Sequence, residues 1–221
     1  MLSIREYLRR FFAWDYALTF WTIIIVFVVP VLPQKYIGLV TQIVYSIVYV
    51  LAALTVLSFS KKILYFGIGL FVLEWISGLL KLEIINGLSN LLGILFFIFI
   101  VIIFVARIAK SDQVNIKVIL EGINGYLLLV LVFTFFMRIL IRINPASFTY
   151  SLAVDNGFSL SDMLYFSVVT MTTLGYGDFL PATPLAKSLS TLIAVTGQFY
   201  IAILVAMLVG KYIAQNESNK R

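Results

Sequence analysis

The segment Thr172-Thr173-Leu174-Gly175-Tyr176-Gly177-Asp178 stands between two long apolar runs, at 123–143 and 185–211, of this 221-residue chain. A shorter apolar stretch at 160–172 leads into it. That stretch is too short to cross a bilayer, because a membrane-spanning helix needs about 20 apolar residues. The pattern therefore predicts a helix that enters the membrane, ends at the quoted segment, and lets the chain return to the same side.

The composition predicts that the rest of the chain also lies in a membrane. Of its residues, 62% are hydrophobic and 12% are charged, which is too apolar for the surface of a soluble domain. The apolar windows give six predicted spans: 14–32, 36–58, 63–82, 87–107, 123–143 and 185–211. We therefore expect an all-α membrane protein with six transmembrane helices and one re-entrant helix.

The chain contains no cysteine and no histidine. Disulfides and thiolate metal sites are thereby excluded, and the commonest metal ligand and general base is missing. No nucleophile–base pair or metal cluster can be assembled from the polar residues that remain. The sequence does not predict an enzyme.

The basic residues predict how the chain is oriented in the membrane. With both termini in the cytoplasm, eleven of the sixteen fall on the cytoplasmic side, which satisfies the positive-inside bias. These eleven are Arg5, Arg9, Arg10, Lys61, Lys62, Arg107, Lys110, Lys117, Lys211, Lys220 and Arg221. The first span lacks a small-residue cleavage pattern after its basic head, so we expect it to be a retained signal anchor.

The quoted segment resembles the filter of the potassium channel pore family, which reads Thr-Val/Ile/Leu-Gly-Tyr-Gly-Asp. The resemblance extends from about Gly122 to Gly210 and is closest to small bacterial six-span channels. It implies a homotetramer in the plasma (inner) membrane, since one filter per chain requires four chains around a pore.

A physical reason for these residue types can be given beside the resemblance. A dehydrated potassium ion needs replacement oxygens, which backbone carbonyls of Thr173, Leu174, Gly175 and Tyr176 and the Thr173 hydroxyl would supply. Glycine at 175 and 177 reaches the backbone angles that aligned carbonyls need. Gly177 completes the predicted filter, and no organic cofactor is expected.

Three residues are predicted to support the filter: Thr172, Asp178 and Tyr165. Many family members have two tryptophans on the pore helix, where this chain has Tyr165 and Phe166. The Tyr165 hydroxyl can bond to Asp178, whereas Phe166 cannot donate to Tyr176. Ser159 with Asp162 predicts a capping box at the start of the re-entrant helix.

The last span carries the candidates for gating. Gly197 matches the hinge glycine of the family, and the alternative is close packing against the pore helix. Gln198 either faces the cavity or bonds to a neighbouring helix. Ile203, Ala206 and Met207 either form an apolar gate or simply pack.

The first four spans resemble a voltage sensor without its charges. No Lys or Arg occurs between Leu88 and Val105, so voltage gating is not expected. Glu74, an acid near the middle of the third span, is either a functional group such as a pH sensor or a helix tie to Asn90, Ser89 or Thr55. We predict four parts: a sensor-like domain at 1–108, an amphipathic linker helix at 109–121, a pore domain at 122–211 and a short tail at 212–221.

The leading prediction is a potassium-selective channel subunit with passive conduction that is not voltage driven. The alternatives are a weakly selective cation channel and a non-conducting membrane scaffold or regulatory subunit. Expected partners are lipid and three further copies of the chain. Neither nucleic acid nor a cytosolic ligand-binding domain in this chain is expected.

Overall fold

The computed structural model describes residues 4–57, 61–80, 83–150 and 158–218. Its seven α-helices in these ranges are α1 (Ile4–Ile23), α2 (Gln34–Thr55), α3 (Lys61–Leu80), α4 (Glu83–Lys110), α5 (Ile116–Ile143), α6 (Leu160–Met171) and α7 (Pro184–Ser218). A π-turn (Ile24–Val28) and a 3-10 turn (Val29–Val31) extend α1. A second 3-10 turn (Pro145–Ser147) precedes strand β1 (Phe148–Tyr150), which pairs with β2 (Phe179–Pro181).

The helices confirm the all-α membrane class. Five stretches of the described chain are long and apolar enough to cross a bilayer: Trp14–Val31, Lys35–Thr55, Gly87–Lys110, Ile116–Ile143 and Pro184–Glu217. Helix α3 covers residues 63–80 of the predicted third span, 63–82, whose last two residues lie outside the described ones. That helix begins with Lys61 and Lys62 and carries Glu74. The short helix α6 lies where the re-entrant helix was predicted.

Helices α2 and α4 pack against α5 through aromatic side chains. The Phe135 ring of α5 lies 5.0 Å from the ring of Tyr45 and 6.2 Å from that of Phe97. Tyr49 stacks on Phe97 at 4.8 Å. All four side chains are buried. The four N-terminal helices therefore share a continuous core with the outer helix of the pore segment of the same chain.

The connection between α4 and α5 differs from the prediction of a linker helix over 109–121. Helix α4 continues to Lys110, and residues 111–115 form a short loop. The Asn115 side chain then accepts a hydrogen bond from the Val118 amide at 3.1 Å and caps α5. Residues 116–121 are the first turns of α5 because this cap starts a new helix.

Helix α7 begins at Pro184, where the Thr183 hydroxyl accepts a hydrogen bond from the Ala186 amide at 3.3 Å. It is unbroken to Ser218, and most of its surface is exposed in the protomer. Residues 151–157 lie outside the described residues, as do residues 219–221 of the predicted tail. One long apolar helix thus stands beside the re-entrant segment with a large uncovered face.

Candidate functional site

The re-entrant helix α6 starts with the predicted capping box. The Ser159 hydroxyl accepts a hydrogen bond from the Asp162 amide at 3.2 Å, and the Ser159 amide donates to Asp162 Oδ2 at 2.7 Å. Farther along, the Thr134 hydroxyl of α5 bonds to the Ser167 hydroxyl of α6 at 3.3 Å, and both are buried. These contacts fix the axis of α6, whose carbonyl end carries partial negative charge toward the quoted segment.

The backbone after α6 turns back on the helix. The Leu174 amide donates to the Val169 carbonyl at 2.9 Å, and the Gly175 amide shares that carbonyl at 3.4 Å. The Thr173 amide donates to the Thr170 carbonyl at 3.0 Å. Within the described chain, the carbonyl oxygens of residues 173–176 accept no hydrogen bond. They are available to a ligand that needs oxygens.

Every second residue of this segment has a positive φ angle. The values are +61° at Thr173, +50° at Gly175 and +77° at Gly177, whereas Leu174 and Tyr176 have negative φ. Alternation of this kind turns successive carbonyls toward one side, which a regular strand does not do. The sequence predicted the two glycines and missed Thr173, because a β-branched residue rarely adopts the left-handed region.

The outer end of the segment is held by the predicted contact between Tyr165 and Asp178. The Tyr165 hydroxyl donates to Asp178 Oδ2 at 2.7 Å, and Asp178 Oδ1 accepts from the Phe179 amide at 3.1 Å. The hydrogen bond to Asp178 raises the pKa of Tyr165 to about 12. The phenol is therefore protonated, and remains a donor, throughout the neutral range.

Gly197 of α7 lies directly against the end of α6. A Cβ at this position would be 2.3 Å from the Met171 carbonyl oxygen, far inside van der Waals contact. Helix α7 is continuous through it. The structure therefore favours close packing of α7 against α6, which was predicted as the alternative to a hinge at Gly197.

The other candidates on α7 lie along its exposed face. Gln198 is exposed, and its Nε2 donates to the Thr173 hydroxyl at 3.5 Å, the long limit of a hydrogen bond. Ile203 and Ala206 are exposed and Met207 is half-buried. A side chain at 198 is thus beside the inner end of the quoted segment, and the proposed gate residues are one to three turns farther along.

Glu74 has the helix-tying contact that was the alternative to a sensing role. The Ser89 hydroxyl of α4 donates to Glu74 Oε2 at 2.7 Å. The Thr55 hydroxyl bonds instead to the Ala52 carbonyl, and Asn90 accepts from Arg138 at 3.4 Å. Of the three predicted partners, Ser89 forms this bond to Glu74.

A buried polar cluster near the start of α5 was missed by the sequence reasoning. Glu121 is buried, and Arg107 Nη1 lies 3.1 Å from Glu121 Oε1 and 2.9 Å from the Thr55 carbonyl. Lys117 is also within 3.9 Å of Glu121. Arg107 was predicted only to serve the positive-inside bias. The sequence does contain a signal for this pair, because Arg107 and Glu121 lie on the two sides of a short loop between helices.

The same cluster reaches α1 through Asn124. The Asn124 side chain donates to the Asp15 carbonyl at 3.2 Å and accepts from the Thr19 hydroxyl at 2.8 Å. The Asp15 side chain is buried, and neither of its carboxylate oxygens has a hydrogen-bond partner in the described part of the chain. Helix α5 is therefore joined by polar contacts to both α1 and α4.

The end of α7 is fastened to the loop between α4 and α5. Lys211 Nζ donates to the carbonyls of Ala109, at 2.9 Å, and Ser111. The Val114 amide donates to Gln215 Oε1 at 3.1 Å. The inner end of the long exposed helix is thus bonded to the segment that connects the four-helix domain to α5.

A family model described as "Ion channel" matches residues 125–214, the stretch from α5 to α7. This segment is therefore similar to the ion channel family. Over 54 of its residues, or 24% of its length, the chain is 44% identical to human potassium voltage-gated channel subfamily A member 10. It is 40% identical over 65 residues, or 29% of the chain, to two pore potassium channel c of Oryza sativa subsp. japonica. It is 32% identical over 71 residues, or 32% of the chain, to probable potassium channel protein 2 of Methanocaldococcus jannaschii.

These matches are local. The chain covers 11%, 14% and 20% of the lengths of these three relatives, respectively. Family and relatives support a potassium channel pore domain in a multi-pass membrane protein, and the family is not an enzyme class.

Proposed function

We propose that this chain is one subunit of a potassium-selective channel, in which four copies surround a single pore. The observation that carries the proposal is the backbone at 173–177, with positive φ at every second residue and carbonyls that accept no hydrogen bond from the described chain. Stacked rings of such oxygens replace the hydration shell of a potassium ion. Thr173, Leu174, Gly175 and Tyr176 would supply them.

The exposure of the filter favours an assembly over a monomer. Leu174 and Tyr176 are 55% and 66% exposed in the protomer, and most of the face of α7 is uncovered. Irregular backbone at membrane depth is tolerated only where protein or a water-filled cavity surrounds it. A cyclic tetramer provides both, with neighbouring subunits outside the filter and the pore inside it.

The filter sequence and geometry favour selective conduction over the two alternatives. A scaffold subunit has no use for aligned free carbonyls, and a weakly selective channel does not need both Gly175 and Gly177 in the left-handed region. The absence of Lys and Arg between Leu88 and Val105 argues against voltage gating. We place the channel in the plasma membrane with both termini in the cytoplasm, and we infer no organic cofactor.

The test is flux through purified protein in liposomes. We expect potassium to pass at least about tenfold better than sodium, which corresponds to about 1.4 kcal/mol. Gly175→Ala should abolish potassium flux, because φ there is +50° although a Cβ would meet nothing within 4 Å. Gly69→Ala on α3 is the matched control, since it too has open space and lies in a helix.

Equal sodium and potassium flux would leave only the weakly selective channel. Intact tetramers without any flux would favour the scaffold. Normal potassium flux in Gly175→Ala would show that this segment does not line the pore.

A further inference from the structure

The residue that follows Asp178 lies at the centre of a buried group of aromatic rings. Phe179 is 5% exposed and contacts four of them, with ring centroids 5.3 Å from Phe148, 5.3 Å from Tyr150, 5.0 Å from Phe158 and 5.0 Å from Phe166. Phe148 and Phe166 also contact each other at 5.3 Å. We call these five residues the aromatic box. It joins the outer end of the filter to α6 and to β1.

Strand pairing holds the box in register. Strands β1 and β2 are antiparallel, with Tyr150 opposite Phe179 and Phe148 opposite Pro181. The carbonyl of Ser147, a fully buried residue, accepts hydrogen bonds from the Ala182 amide at 2.8 Å and the Thr183 amide at 3.4 Å. The chain leaving the filter is therefore fixed by backbone bonds as well as by ring contacts.

Little else in the protomer holds the outer half of the filter. The amides of residues 172–175 bond to carbonyls of α6, but within the described chain those of 176–178 do not bond to any backbone carbonyl. Tyr176 is 66% exposed in the protomer. The Phe166 ring contacts Phe179 instead of supporting Tyr176. The ties of this half are the Tyr165–Asp178 bond and the anchorage of Phe179.

We propose that Phe179 is the positioning residue that sets the outer end of the filter, through the aromatic box and the β1–β2 pair. The inference deepens the proposed function and rests on it. Phe179 does not touch the ion: it holds the peptide of Asp178 in place, and through it the carbonyls of the outer filter. Loss of the ring would let these carbonyls move, so that sodium is rejected less well and current declines faster during sustained opening.

The experiment compares Phe179→Ala and Phe179→Leu with the unaltered channel in planar bilayers. We expect the potassium-to-sodium permeability ratio to fall at least about fivefold in Phe179→Ala, in keeping with the loss of several aromatic contacts. A smaller fall is expected in Phe179→Leu, which keeps the apolar volume. Tyr65→Leu is the control, because Tyr65 is a 71% exposed ring on α3.

A second pair of variants separates positioning from folding. Phe148→Leu should reproduce the Phe179→Leu effect, and the double variant should be less than additive because the two rings act through one contact. A role in folding alone would lower the yield of tetramer and leave the permeability ratio unchanged. If Phe179→Ala does not assemble, Phe179→Leu and the milder Tyr150→Leu give the permeability ratio instead.

The outcomes are distinct for the two proposals. If the unaltered channel does not select potassium, the proposed function fails and this inference fails with it. If the unaltered channel selects potassium and assembled Phe179 variants do so equally well, with unchanged current decline, the inference is overturned while the proposed function stands.

Discussion

At the scale of single residues, Gly197 allows α7 to approach α6 closely because it has no side chain. The Met171 carbonyl oxygen lies 2.3 Å from the position that a Cβ at 197 would take, and Met171 is the last residue of α6. Backbone oxygen cannot rotate away as a flexible side chain can. A methyl group at 197 would therefore displace either α7 or the inner end of the filter.

We predict that Gly197→Ala destabilises the assembled channel by about 1–3 kcal/mol, the usual cost of overpacking, and impairs potassium flux. Gly38→Ala on α2 is the control, because a Cβ there meets nothing within 4 Å. Thermal denaturation of the purified assembly and liposome flux are the measurements. Normal stability combined with altered opening would favour the hinge interpretation instead.

The bond between Tyr165 and Asp178 is a second residue-scale feature with a measurable consequence. Removing the hydroxyl in Tyr165→Phe should accelerate the decline of sustained current several-fold, since the bond is one of the few ties of the outer filter. Because the pKa of Tyr165 is raised to about 12, the bond is complete below the ordinary tyrosine value and is lost only as pH rises through about 12.

Ionisation of Tyr165 should therefore not change the rate of current decline in the unaltered channel between about pH 8 and pH 10. Tyr165→Phe should decline faster than the unaltered channel throughout this range. Current recordings over that range are the measurement. A decline rate that is the same in Tyr165→Phe as in the unaltered channel would exclude a supporting role for this hydroxyl.

What the sequence predicted at this scale follows from local chemistry. The capping box, the two filter glycines and the Tyr165–Asp178 contact depend on residues close together in sequence, whose types alone restrict the geometry. The left-handed Thr173 was not predictable, because residue type argues against it. Asp15 and Glu121 were missed because their burial depends on how distant helices pack.

At the scale of elements, the linker between α4 and α5 shows where periodicity misleads. Residues 109–121 have apolar positions spaced as in a surface helix, but Asn115 caps a new helix in the middle of the stretch. A side-chain cap satisfies amides that would otherwise lack partners, so it outweighs a weak amphipathic pattern. The apolar residues at 118 and 120 are buried as part of α5.

The contact between Arg107 and Glu121 joins these two elements, and we predict that it contributes strongly to stability. Arg107→Ala should destabilise the protein by about 3 kcal/mol, because it leaves the buried Glu121 carboxylate without its nearest base. Lys117→Ala is the control: its nitrogen is 3.9 Å from Glu121 and its side chain is 31% exposed, so its loss should cost less than about 1 kcal/mol.

Thermal unfolding of the detergent-solubilised protein measures both variants. Equal effects of Arg107→Ala and Lys117→Ala would mean that burial of the pair does not matter. A loss confined to Arg107→Ala would establish that this contact stabilises the packing of α4 on α5.

At the scale of the whole molecule, the position of the four-helix domain follows from the loop at 111–115. Five residues reach about 20 Å at most between the helix ends that they connect, and Arg107, Phe97 and Tyr45 bring α2 and α4 onto α5 of the same chain. Helices α2 and α4 therefore rest on α5 of the same chain. The sequence did not predict this arrangement, because the hydrophobicity of a span does not indicate which neighbouring helix it contacts.

The last prediction tests this arrangement by crosslinking. The Val114 amide is 3.1 Å from Gln215 Oε1, so cysteines at these two positions should be joined by a short thiol crosslinker. The chain has no cysteine of its own, so every product comes from the introduced pair. We expect crosslinked protein to migrate as a monomer on a denaturing gel, because α7 and the loop belong to one chain. Val114→Cys alone is the control. A ladder from dimer to tetramer would show instead that each loop contacts α7 of a neighbouring subunit.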